Sequence, residues 1–167
     1  MDWGHSNAVD REQVMNLVNA VAAVRQFHVR MNAPTADSPT RLSGDNREAT
    51  EFATRLSEFA AEAKRRGTER NDVLLLRAAM AMEELAEWLS AHAQGDLVAV
   101  ADAWADRAFV LFGDAVATGL PVDALFLEVH RSNMTKEPDP LGTGKAIKGA
   151  NYSPPDISAV LRSAQAE

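Results

Sequence analysis

The chain has no cysteine, so disulfides, thiolate metal sites and a cysteine nucleophile are all excluded. It is short of positive charge: 17 Lys and Arg against 24 Asp and Glu leave a formal net charge of −7. A nucleic-acid polymer needs clustered Lys and Arg along its phosphates, so binding one is not the main business of this chain. A single nucleotide stays open, because a local cationic patch or a metal can hold it. No apolar run approaches the ~20 residues that span a bilayer. The start, Met1-Asp2-Trp3-Gly4-His5, lacks the basic and apolar regions of a secretory signal, and a cytoplasmic location is the expectation. Strand-like alternation and internal repeats are missing too.

What is present is helical. The 167 residues read as one all-α domain, with a core over about 10–135 and a Gly/Pro/Lys-rich tail over 136–167. The spacing of Val14, Leu17, Val18, Val21 and Val24 predicts a first amphipathic helix over Arg11–Met31. A loop with Pro34, Pro39 and Gly44 precedes a second helix, Arg47–Arg66, which Gly67 is expected to stop. A third helix follows from about Glu69–Asp72 to Ala93. Asp96 is the expected N-cap of a fourth helix, which runs to about Thr118. Pro121 opens a fifth, to about Met134, and Ile157–Ser163 predicts a short last one. The turn at Gly95-Asp96 is so short that the third and fourth helices must form an antiparallel hairpin.

That hairpin carries the chemistry. Glu83, Glu84 and Glu87 fall within roughly 100° of arc on the third helix, at about 100° per residue. Asp102 and Asp106 stand one turn apart on the fourth, on a face shared with Val98, Phe109 and Gly113. Carboxylates on a face expected to be buried or half-buried are costly without a compensating cation. No Lys or Arg lies one turn from Asp102 or Asp106 on that face. A hard divalent metal resolves the conflict, Mg2+ best and Mn2+ as a substitute, and it points to phosphate chemistry. The opposite side of the fourth helix, with Trp104, Ala108, Leu111 and Ala115, is apolar as well, so a homo-oligomer is expected to cover it.

Asn133 and Lys136 end the core stripe of Val122, Phe126 and Val129, where an amide and an ammonium can hold phosphate. The same residues also read as an ordinary basic helix end. Lys145 and Lys148 follow among glycines, without the Gly-x4-Gly-Lys-Ser/Thr spacing of a P-loop. Phe27, His28 and Trp88 are candidates for a base or sugar pocket, against a core-packing reading of His28 and Trp88. Tyr152-Ser153-Pro154-Pro155 reads as an anchor for the tail.

Glu83-Glu84-x-x-Glu87, followed by an acidic pair ending in Asp106, resembles the all-α nucleotide pyrophosphohydrolase superfamily. That group includes MazG, dimeric dUTPases and phosphoribosyl-ATP pyrophosphohydrolases. The runs 129–136 and 144–156 are similar to its small MazG-like, phosphoribosyl-ATP pyrophosphohydrolase-like branch, as is Phe27-His28. The resemblance covers roughly Leu74–Leu161 with part of the first helix. It implies a helical bundle assembled as an intertwined homodimer or a dimer of dimers. It also implies Mg2+-dependent cleavage between the α and β phosphates of a nucleoside triphosphate. By motif, Glu84, Glu87 and Asp106 match metal ligands, and Glu83 matches the glutamate serving a second metal or the attacking water. The usual Glu-x-x-Asp would put Glu at 103, where this chain has Ala103; Asp102 is the stand-in. Residues 47–66 exceed what a minimal member needs and receive no role.

Two other readings stay open: a phosphoribosyl-ATP-type substrate, and a non-catalytic helical protein that binds metal and nucleotide. A di-iron centre would need Glu-x-x-His, and neither His92 nor His130 stands three residues after a Glu.

Overall fold

The structure, a computed structural model, describes residues 16–141 and 144–165. These residues form two compact units, one of Ala36–Leu120 and one of the described residues up to Thr35 with those from Pro121 onward.

The first unit is three helices: α2, Asn46–Arg70; α3, Val73–Gln94; and α4, Leu97–Thr118. Aspartates start all three. Asp45, Asp72 and Asp96 each accept a backbone N–H from the first turn that has no partner inside the helix. Gly67 does not end α2, contrary to expectation. It lies buried inside the helix, where a Cβ would stand 2.9 Å from Leu76 Cγ and 3.1 Å from the Leu76 backbone nitrogen. Its interior cost of about 1 kcal/mol is offset by the close approach of α3 that it permits. The helix ends instead at Asn71, which takes the left-handed conformation at φ +51°.

Gly67 belongs to a seam. Ala53, Ala60 and Gly67 recur every seven residues on α2 and are all buried, as are Ala79 and Ala86 on α3. Small residues at that period let two helices lie close along their length. On its other side α3 meets α4, tied by Arg77. The Arg77 Nε donates to Asp114 Oδ1 at 2.6 Å, and Nη2 donates to the Val110 carbonyl at 2.6 Å. Gly113 leaves the room this guanidinium occupies, since a Cβ there would sit 2.6 Å from Nη2.

The second unit holds α1, Leu17–Arg30, and α5, Val122–Asn133. The Arg11–Met15 part of the expected first helix lies outside the described residues. Where no strand was expected, β1 (Glu137–Pro138) and β2 (Ala146–Ile147) pair antiparallel, with Glu137 opposite Ile147. Two-residue strands are too short to show alternation in sequence. The chain then crosses the end of α5 to reach α6, Ile157–Ala164. Polar bonds strap this segment down. Arg131 donates to both Glu128 carboxylate oxygens, to Ser153 Oγ at 3.1 Å and to the Pro154 carbonyl at 2.9 Å. Buried Ser132 donates to the Ser153 carbonyl at 2.8 Å, and the Ser153 N–H donates to Thr135 Oγ1 at 2.9 Å. No single described helix is long and apolar enough to cross a membrane.

Candidate active site

The middle helix α3 sets the site. Arg77 reaches α4, and Glu84, seven residues on, shares its side of the helix, while the buried Ala79 and Ala86 lie on the opposite side. Glu83 lies between these two faces and reaches back to α2, where Lys64 Nζ donates to its Oε1 at 3.1 Å. Glu87 is exposed on the same flank.

On α4 the buried residues are Val100 and Ala103, at 7% and 5% exposure. Asp106 borders that line, Asp102 stands farther round the helix, and both are exposed. The expected half-buried face is therefore half right within one chain. Glu83 and Glu84 are half-buried, whereas Glu87, Asp102 and Asp106 face solvent. The apolar companions of the aspartates are uncovered too, Val98 and Phe109 each at 81% exposure. A hydrophobic stripe marks a face that wants a cover; it does not say that the same chain provides it. Ala103, at the position where the family motif carries Glu, is used to seat the helix.

Electrostatically the other four carboxylates bear on Glu84. The Glu84 carboxyl is pushed above its ordinary range, first by burial and then by the negative charges of Glu87, Asp106, Glu83 and Asp102. Its Oε2 is buried and accepts no hydrogen bond. Among the described residues, no three His, Asp or Glu side chains already stand close enough to hold an ion. The donor set nevertheless suits one. All the groups are hard oxygens, one oxygen is orphaned, and Glu83 alone of the five has an ion-pair partner among the described residues.

Trp88 and Arg107, each one residue beyond a candidate ligand, clip α3 to α4. The Arg107 guanidinium lies 4.8 Å above the Trp88 ring, and the His92 ring is 4.3 Å away. The Trp88 ring is thus occupied by protein groups.

The remaining candidates belong to the other unit. Asn133 is the last residue of α5 and half-buried. Continuing the β1–β2 register by one residue sets Lys136 opposite Lys148, whose ammonium lies 5.0 Å from the Tyr152 ring. Lys145 is exposed just before β2. Gly144, at φ +74°, packs on Ala33 and Pro34, the segment that also receives His28. His28 Nδ1 lies 2.7 Å from the Pro34 carbonyl, which can only accept, so this nitrogen carries the hydrogen and Nε2 keeps the lone pair in the neutral ring. Phe27 meets His28 edge-on.

The sequence reading missed Lys64, Arg131 and Ser132. The i, i+3 pair Glu128 and Arg131 was a visible signal for a structural role. Lys64 had none, because its partner lies across a hairpin whose register was not known.

The family model for phosphoribosyl-ATP pyrophosphohydrolase matches residues 49–133. The match begins in α2 and ends with α5, so it takes in all five carboxylates, Trp88 and Asn133. It also corrects the reading of 47–66 as surplus: residues 49–66 lie within the matched segment, as one wall of the seam. Phe27, His28, Lys136 and the tail fall outside it. No curated protein and no solved structure matches the chain.

Proposed function

The chain belongs to the phosphoribosyl-ATP pyrophosphohydrolase family, whose members are hydrolases acting on phosphoric anhydrides, and from that premise we propose that it is a Mg2+-dependent nucleoside triphosphate pyrophosphohydrolase. The bond cleaved lies between the α and β phosphates, and the products are a nucleoside monophosphate and pyrophosphate. The observation that carries the reading is the half-buried Glu84, whose Oε2 has no partner and whose carboxyl feels the negative charges of Glu87, Asp106, Glu83 and Asp102.

In this reading Glu84, Glu87, Asp102 and Asp106 hold the ion, and Mn2+ substitutes for Mg2+. Bound there, a divalent ion supplies charge neutralisation at the phosphates and a more acidic water. Glu83 accepts the proton of the attacking water and, for a second ion, is an added ligand. Asn133, Lys136, Lys145 and Lys148 hold the β and γ phosphates, with Asn133 donating from its amide and the lysines neutralising charge. Phe27 and His28 offer an aromatic edge and a ring nitrogen to the base or sugar. Trp88 borders the acids from its place under Arg107. A homodimer or dimer of dimers covers the exposed apolar residues of α4, such as Val98, Phe109 and Val116.

A second reading, phosphoribosyl-ATP as the substrate, is favoured by the family match itself. The same groups would then cleave the same kind of bond. The test is product release from a nucleoside triphosphate panel, including dUTP, beside phosphoribosyl-ATP, with and without Mg2+. Metal-dependent monophosphate and pyrophosphate are the expected products, and the preferred substrate ranks the two readings. Orthophosphate as the product, or turnover unaffected by chelation, overturns the proposal.

A further inference from the structure

Among the described residues, Glu83 is the one carboxylate of the five with an ion-pair partner, and the partner comes from a different helix. The pair spans α2 to α3 at 3.1 Å, with the Lys64 side chain 63% exposed and that of Glu83 33%. An ion pair this exposed adds little to stability, so holding two long side chains in one geometry asks for another reason. The Lys64 backbone stands near the tightest part of the seam, three residues before Gly67, which packs against Leu76 of α3. Only Oε1 of Glu83 is engaged; Oε2 accepts no hydrogen bond among the described residues.

We propose that Lys64 is a positioning residue for Glu83: the ammonium holds Oε1, which leaves Oε2 aimed as the proton acceptor and keeps the carboxylate from collapsing onto the ion held by Glu84, Glu87, Asp102 and Asp106. This rests on the function proposed above. No bond to Lys64 forms or breaks in the reaction.

Two measurements test it, both on the full chain. In Lys64→Met, kcat falls about tenfold or more, as expected when a general base loses its orientation, while KM changes less than about threefold. Lys64→Arg restores most of kcat. Without nucleotide, Mn2+ binding measured by electron paramagnetic resonance tightens several-fold in Lys64→Met, because a repelling charge is gone and Glu83 is released toward the ion. A purely structural lysine would lower the melting temperature and leave both the kcat-to-KM split and the Mn2+ affinity unmoved. Should Lys64→Met fail to fold, Lys64→Gln reads the same quantities. Unchanged kcat or weakened Mn2+ binding overturns the inference. Glu84→Gln separates the two levels: a dead Glu84→Gln beside a fully active Lys64→Met sinks only the role of Lys64. Full activity in Glu84→Gln sinks the site itself.

Discussion

The two compact units are held together by opposite means. In α2–α3–α4 the contacts are small apolar residues at a helical period, Ala53, Ala60 and Gly67 against Ala79 and Ala86. Around the end of α5 they are polar: one guanidinium, two hydroxyls and one carboxylate strap the tail. Close-packed apolar contacts are indifferent to pH and salt and sensitive to volume. Hydrogen-bonded straps tolerate volume and respond to charge. The five candidate carboxylates are mounted on the first kind of structure.

The comparison can be broken at several points. Glu84→Gln or Asp106→Asn is expected to abolish metal-dependent turnover while circular dichroism shows full helicity. Either variant at wild-type rate would detach the acids from the chemistry. Next in size, Gly67→Val forces side-chain atoms into Leu76 and should cost about 2–3 kcal/mol in urea unfolding. Unchanged stability would mean that the seam is looser than it looks. Ser132→Ala removes a buried donor from the tail strap and should cost about 1 kcal/mol, seen as faster amide exchange over 153–160 and not in α2 or α3. Exchange rising equally in all the helices would refute a division into two differently built units.

The smallest effect is a matter of pH. The Glu128 carboxyl is held down at about 2, by the hydrogen bonds from Arg131 first and then by the backbone N–H of Asp156. A carboxyl whose folded pKa is depressed contributes stability that is present above its unfolded pKa of about 4.3 and lost as pH falls toward the folded value. The tail should therefore loosen between about pH 4.5 and pH 2, followed by exchange of the Asp156 amide. Glu128→Gln should flatten that dependence; a variant that titrates like the wild type would assign it to another group.

Most of the helical frame was legible because the apolar period agrees with the local stop and start residues, such as Asp96 at α4 and Pro121 at α5. Asp96 was read correctly as a cap, and the ends of α3 and α4 came within a residue or so. Gly67 was misread for a physical reason: a glycine serves equally as a helix stop and as a place where another backbone comes close, and only the neighbour decides. The three glutamates of α3 and two aspartates of α4 were visible from spacing alone. Their uneven exposure was not, since period gives direction and never says what lies opposite. Lys64 was illegible because it is 19 residues from Glu83 and needs the hairpin alignment to meet it.

That alignment has a hidden ambiguity. A seam whose small residues repeat every seven is nearly self-similar: slid by one period, alanine again meets alanine, and the difference is that Ala60 brings a Cβ against Leu76 where Gly67 brings none. Apart from that one glycine the seam supplies closeness but no address along the helix. The address comes from the connection, Asn71 and Asp72, which is too short to let α2 slip. In the slipped alignment Ser57 would stand where Lys64 does, and Glu83 would face a hydroxyl in place of a cation. Two residues far from the acids thus act as the ruler against which the site is measured, and lengthening that turn would erase the graduation while leaving every helix intact.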